Sequence, residues 1–168
     1  MLFWYSCLKG IATKIGLNLL EWNVIFNFIN LFEELSGVDI GVTDLHVACS
    51  KKDTELEEVK RLLETEECID AIHAPKRTAL HLATINGRDD IVQCLIEKEA
   101  DINFQDVYEY TPLHYACRKG YTKIVKILID AGAEMNITTE EDETPLSLAR
   151  ENEFPDIVDL LIKNGAEE

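Results

Sequence analysis

Three histidines of this chain recur at nearly even spacing, and imidazole is a side chain that binds metals or transfers protons near neutral pH. They are His46, His81 and His114, and a fourth histidine, His73, stands alone. The five cysteines, which would be the other candidate ligands or nucleophiles, are Cys7, Cys49, Cys68, Cys94 and Cys117. Their number is odd, and they form neither a Cys-x-x-Cys pair nor a close cluster with histidine, so we predict no zinc site and no disulfide framework.

The short motifs that usually indicate catalysis are also missing. The sequence contains no GxGxxG, GxxxxGK[ST], HExxH or GxSxG pattern. The acidic run at residues 140–143 lacks the spacing of a calcium loop, and nothing near Cys68 in the sequence supplies a base for thiolate catalysis. We therefore predict a protein with no catalytic residues, no cofactor and no bound metal.

Composition narrows the choice of partners. The chain has 168 residues, 46% of them hydrophobic, with 16 Lys and Arg against 32 Asp and Glu, for a formal net charge of -16. This composition is that of a globular protein, and so acidic a surface disfavours nucleic acid as a partner. Free thiols and the lack of an evident export signal favour a cytoplasmic protein, with the nucleus as the alternative location.

An internal repeat organises most of the chain. Thr-Ala-Leu-His begins at Thr78, Thr-Pro-Leu-His at Thr111 and Thr-Pro-Leu-Ser at Thr144, each 33 residues after the one before. A degenerate copy, Thr-Asp-Leu-His, begins at Thr43. Each threonine is a good helix N-cap, and the Ile-Val-rich second half of the three regular copies has the apolar spacing of an amphipathic helix. The repeat therefore predicts a pair of short helices in each copy.

These motifs closely resemble the ankyrin repeat. The resemblance implies an all-α ankyrin-repeat solenoid of stacked helix–turn–helix units with projecting β-hairpin or loop fingers over residues 39–168. The copies would span residues 43–75, 76–108, 109–141 and 142–168. The resemblance also implies that the recurrent histidines bridge the threonine and the backbone of adjacent repeats, and that Cys49, Cys94 and Cys117 are core residues.

This sequence departs from the family at several turns. Lys76, Glu109 and Asp142 occupy finger turns, and Glu99 and Glu153 helix ends, where the family favours glycine. A side chain in the left-handed backbone region costs about 1–2 kcal/mol. We therefore expect these turns to be looser or differently shaped.

The hydrophobic segment at residues 1–38 is predicted to be a helical cap on the first repeat, since a terminal repeat exposes an apolar face. Its longest charge-free run, residues 22–32, is too short to span a membrane. Docking of this segment to a membrane surface or to a partner is the alternative.

By resemblance, the finger tips and the exposed end of each first helix line a concave groove that binds partners. The matching positions are Ala74, Pro75, Arg77, Ile85, Asn86, Val107, Tyr108, Tyr110, Arg118, Lys119, Glu140, Glu141, Glu143, Glu151 and Asn152. Tyrosine and arginine are favoured at binding hot spots, so Tyr108, Tyr110 and Arg118 are the predicted anchors.

The function predicted from these features is a non-catalytic adaptor or scaffold that binds another protein, one with a basic segment, through this groove. Two alternatives remain open. The chain would be a regulatory or targeting fragment of a larger ankyrin-containing enzyme or channel, because the last helix keeps an uncapped apolar pattern. Otherwise it would be a membrane-associated ankyrin protein. Repeats that follow a hydrophobic N-terminal region loosely resemble the arrangement of the spider venom latrotoxins.

Overall fold

The computed structural model describes residues 43–65 and 69–167, and these contain eight α-helices arranged as four pairs. The helices are α1 (Asp44–Ser50), α2 (Leu56–Glu64), α3 (Ala79–Ile85), α4 (Asp89–Glu97), α5 (Pro112–Lys119), α6 (Thr122–Asp130), α7 (Pro145–Glu151) and α8 (Pro155–Lys163). The predicted cap at residues 1–38 and Cys68 lie outside the described residues. No described helix is both long and apolar enough to cross a membrane.

The first helix of each pair begins at the threonine that the repeat predicts. Thr43, Thr78, Thr111 and Thr144 all have extended backbone angles and form a capping box with the residue three positions later. This satisfies backbone N–H groups that a helix start would otherwise leave without partners. The predicted N-caps are confirmed.

The helices stack in two layers. The first helices α1, α3, α5 and α7 pack against one another in order, and the second helices α2, α4, α6 and α8 form the other layer. The core between them is built of fully buried aliphatic residues in register, including Leu45, Leu80, Leu113, Leu146, Ile91, Ile124 and Ile157. Each unit buries its apolar face only against its neighbours, so the predicted all-α ankyrin-type stack is confirmed.

Three cysteines belong to this core, as predicted. Cys49, Cys94 and Cys117 are free thiols and buried. Burial raises the pKa of the Cys49 and Cys117 thiols to about 12, because an apolar interior disfavours the thiolate. These groups are therefore inert as nucleophiles near neutral pH.

Short loops project between the pairs of helices, and we call them finger 1 (residues 73–77), finger 2 (residues 106–110) and finger 3 (residues 139–143). Among the described residues, finger 1 shows an isolated β-bridge between His73 and Arg77, and none of the three contains a strand. The fingers are therefore loops, the second of the two forms that the family resemblance allowed.

The expectation that these turns are differently shaped without glycine is wrong. Lys76, Glu109 and Asp142 adopt left-handed backbone angles, with φ of 62°, 60° and 58°, which is the geometry that glycine would give. Glu99 and Glu153 do the same at the ends of α4 and α7, with φ of 65° and 60°. Backbone hydrogen bonds close the turns, and these contacts offset the cost of the left-handed conformation.

Candidate functional site

An open cleft of about 580 Å³ lies beside fingers 2 and 3 and the exposed ends of α5 and α7. Nine of the predicted groove residues line it: Arg77, Tyr108, Tyr110, Arg118, Glu140, Glu141, Glu143, Glu151 and Asn152. Tyr115 and Leu148, which the sequence did not single out, complete the lining. The cleft is therefore walled by tyrosines and rimmed by carboxylates.

Finger 2 takes its shape from one buried carboxylate. The backbone N–H of Asp106 donates to the Tyr110 carbonyl at 3.0 Å, and that of Glu109 donates to the Asp106 carbonyl at 3.1 Å. Asp106 Oδ1 accepts from the backbone N–H groups of Tyr108, at 2.9 Å, and Tyr110, at 3.1 Å. Four hydrogen bonds in five residues hold the turn, and they hold Tyr108 at its tip.

Finger 3 repeats this geometry with a hydroxyl in place of the carboxylate. Thr139 Oγ1 accepts from the backbone N–H groups of Glu141, at 3.3 Å, and Glu143, at 3.2 Å. The Glu140 backbone N–H donates to the Tyr108 carbonyl at 3.4 Å, so the backbones of fingers 2 and 3 are joined directly. The two fingers thus present their side chains from a shared, hydrogen-bonded base.

A buried polar cluster connects finger 1 to finger 2. The Asp106 side chain is 0% exposed, and its Oδ2 accepts from Tyr115 Oη at 2.6 Å and from Arg77 Nε at 3.3 Å. Arg77 Nη2 donates to Tyr115 Oη at 2.8 Å, and the guanidinium carbon lies 5.2 Å from the Tyr115 ring centroid. Burial and the hydrogen bond to Asp106 raise the pKa of Tyr115 to about 12. The charge of Arg77 is therefore balanced at the base of the cleft.

The three predicted anchors differ in their surroundings. Tyr108 is 53% exposed, whereas Tyr110 is 9% exposed and its hydroxyl donates a hydrogen bond to Glu143 Oε2. Burial first, and then this hydrogen bond, raise the pKa of Tyr110 to about 12. Arg118 is exposed, with its guanidinium carbon 5.9 Å from the Tyr110 ring centroid. Tyr110 is thus part of the cleft wall, not a projecting side chain, because its ring packs against Tyr115 with the centroids 5.2 Å apart.

The other predicted groove residues do not line the cleft. They are Ala74, Pro75, Ile85, Asn86, Val107 and Lys119. Asn86 has a structural role, since its side-chain amide donates to the carbonyls of Cys49 and Ser50 at 3.1 Å each. Val107 is 42% exposed beside Tyr108 on finger 2. The described structure therefore concentrates the candidate site on the last two fingers.

The recurrent histidines hold neighbouring repeats together, as the family resemblance implied. His81 Nδ1 accepts from the Thr78 backbone N–H at 3.3 Å, and Nε2 lies 3.1 Å from the Tyr110 carbonyl, which assigns the proton to Nε2. His46 and His114 repeat this arrangement, with Nε2 3.1 Å from the Arg77 carbonyl and 3.3 Å from the Glu143 carbonyl respectively. Burial lowers the pKa of His81 and His114 to about 4.

Both ring nitrogens of these histidines are engaged in hydrogen bonds, so their imidazoles do not point lone pairs at a common centre. Within residues 43–65 and 69–167, no group of three His, Cys, Asp or Glu side chains is placed to hold a metal ion. Both observations indicate that these three histidines have a structural role.

Comparison with known proteins agrees with this architecture. The family described as "Ankyrin repeats (3 copies)" matches residues 20–106 and 100–168, and the first match begins inside the segment predicted as a cap. A stretch of 51 residues is 45% identical to "Serine/threonine-protein kinase VIK" of Arabidopsis thaliana, and it covers 29% of this chain. The aligned region spans only 11% of that kinase. Because the family match covers nearly all of the chain, this protein belongs to the ankyrin-repeat family.

Proposed function

We propose that this protein is a non-catalytic adaptor or scaffold that binds a partner protein across the cleft formed by fingers 2 and 3. Ankyrin repeats are protein-interaction modules, and fold alone does not name the partner. The observation that carries the proposal is the cleft itself, where an exposed tyrosine and several carboxylates are held on a hydrogen-bonded base. Such preorganisation lowers the entropy lost when a partner binds.

The charge of the cleft favours a partner with a basic segment. Its rim carries Glu140, Glu141, Glu143 and Glu151, whereas Arg77 is already paired with Asp106. A carboxylate rim attracts a cationic chain and speeds its capture at low ionic strength. Binding of such a partner should therefore weaken as salt is raised.

The test is affinity capture of partners with three forms of the full chain, compared at low and high salt. One variant carries Glu140→Gln, Glu141→Gln and Glu143→Gln in the cleft. The matched control neutralises three exposed carboxylates on second helices, Glu97→Gln, Asp130→Asn and Asp159→Asn. Both triple variants have the same net charge, so a partner lost by the first and kept by the second binds at the cleft. A partner retained equally by both variants contradicts the proposal.

A single substitution provides the apolar counterpart of this test. Tyr108→Ala removes the exposed ring without touching the backbone hydrogen bonds of finger 2. We expect partner binding to fall by at least about tenfold, the loss typical of a hot-spot residue, with no change in the urea midpoint. Val107→Ala, on the same finger but outside the cleft, is the control and should have the smaller effect.

A second candidate function rests on the match to a plant protein kinase. The ankyrin-repeat region would then be a regulatory or targeting part of a larger enzyme. A transcript that encodes a catalytic domain in the same reading frame would establish this role. Transcripts that end with the repeats in every tissue would contradict it.

A further inference from the structure

Two arginines line the cleft: Arg77 pairs with Asp106, whereas Arg118 has no carboxylate within ion-pair distance in the part of the chain that the structure describes. Arg118 lies at the exposed end of α5, and its guanidinium forms no ion pair within residues 43–65 and 69–167. Its guanidinium carbon lies 5.9 Å from the centroid of the Tyr110 ring. Contacts of this kind at an exposed position are weak, so the guanidinium is readily displaced.

The surroundings of Arg118 offer the two features that a guanidinium binds, an aromatic face and a carboxylate. The Tyr110 ring offers an aromatic face, and Glu143, which accepts the Tyr110 hydroxyl proton, brings a carboxylate to the edge of that ring. Glu140 and Glu141 line the same cleft on finger 3. A planar cation can stack on the ring and pair with a carboxylate at once, a combination that arginine makes more readily than lysine.

Building on the proposed function, we propose that the cleft binds an arginine side chain of the partner, and that Arg118 occupies this place in the free protein. Arg118 thus competes with the partner instead of anchoring it, in contrast to the role predicted from its residue type. Binding requires Arg118 to leave the ring, and the like charge of the two guanidinium groups opposes their sharing the cleft. Arg118 lowers the affinity for cationic segments and so restricts the cleft to partners whose arginine fits both ring and carboxylate.

The substitution Arg118→Gln distinguishes these two roles. If Arg118 competes, its removal frees the ring and one repulsive charge, and affinity for an arginine probe rises by about three- to tenfold at low salt. If Arg118 is an anchor, affinity falls. Lys119→Gln is the matched control, because Lys119 is the exposed neighbour of the same charge on the same helix but lies outside the cleft. It should raise affinity by less than about twofold.

The probe is N-acetyl-argininamide, titrated into the full isotope-labelled chain and followed by amide chemical shifts. N-acetyl-citrullinamide, which has nearly the same shape without the charge, is the negative probe. We expect saturable shifts at Glu140 and Glu143 with the arginine probe, and binding at least about tenfold weaker with the citrulline probe. Equal binding of the two probes, or an Arg118→Gln variant that binds no better than Lys119→Gln, overturns the inference.

This outcome is separable from the partner-capture test. A partner lost when the cleft carboxylates are neutralised, together with no gain from Arg118→Gln, leaves the proposed function standing and removes the inference. An arginine probe that binds as expected, together with a partner retained by the neutralised cleft, shows that the cleft accepts arginine but that this partner binds elsewhere, which overturns the proposed function. Equal urea midpoints of the wild type and Arg118→Gln confirm that the exposed substitution leaves the fold intact.

Discussion

Replacing Asp106 by asparagine tests whether the buried cluster at the base of the cleft depends on charge. Asparagine keeps the volume of the side chain, and its carbonyl oxygen can still accept from the backbone N–H groups of Tyr108 and Tyr110. Its NH₂ group, however, replaces the oxygen that accepts from Arg77 Nε and Tyr115 Oη. The NH₂ group is a hydrogen-bond donor and then faces two other donors, Arg77 Nε and the Tyr115 hydroxyl. The positive charge of Arg77 also loses its partner.

The cost follows from the burial of each partner. Breaking a fully buried ion pair costs about 3–5 kcal/mol. Because the Arg77 side chain is 26% exposed, water recovers part of this loss, and we expect Asp106→Asn to lower the free energy of unfolding by about 2–3 kcal/mol. Urea denaturation of the full chain, followed by circular dichroism, measures this change.

A double-mutant cycle isolates the cause. Arg77→Gln removes the charge that Asp106 balances, so Asp106→Asn should cost at least about 1 kcal/mol less in that background than in the wild type. The hydrogen bonds to the backbone of finger 2 are common to both backgrounds and cancel. If Asp106→Asn costs the same in both, then the ion pair contributes nothing and the explanation of the cluster is refuted.

Two further predictions concern the stack itself. Gly120→Ala should destabilise the fold more than Gly132→Ala, by at least about 1 kcal/mol in urea denaturation. Both glycines have positive φ, of 73° and 91°, but a Cβ at Gly120 would lie 2.5 Å from the Phe154 ring, whereas a Cβ at Gly132 would have nothing within 4 Å. Equal losses of stability contradict this prediction. The free energy of unfolding should also fall as pH drops from about 6.5 towards 4. The pKa of His81 and of His114 is about 4 in the folded chain, so the unfolded chain protonates these side chains at a higher pH than the folded chain does. At pH 5 each contributes a loss of about 2 kcal/mol relative to pH 7.5, and His81→Gln should flatten the pH dependence of the urea midpoint.

Much of the stack could be predicted from sequence because its determinants are local. A threonine at the start of each copy, an aliphatic stripe in each second half and a period of 33 residues specify the capped helices and their spacing. The family resemblance added the bridging role of the histidines. These features recur in the three regular copies and in degenerate form in the first, so each copy reinforces the interpretation of the others.

The site was less predictable because its contacts join distant residues. Tyr115 pairs with Arg77 across 38 positions, and nothing in the local pattern marks it as more than a helix residue. Tyr110 has the sequence position of an exposed anchor, yet its partners on α5 and finger 3 bury it. One signal was available: Asp106 occupies the position of Thr139 one repeat later, and both are residue types that accept backbone hydrogen bonds in turns.

The carboxylates that fold the fingers are largely separate from those that face solvent. Asp106 is buried and saturated with hydrogen bonds, whereas Glu140 and Glu141 are exposed on the rim of the cleft. Glu143 belongs to both sets, since it accepts the Tyr110 hydroxyl proton, but glutamine at this position can accept the same bond. Neutralising the rim should therefore change the charge of the cleft while leaving its shape intact. Loss of binding in that variant would then report recognition of charge, because the fingers that present it would still be in place.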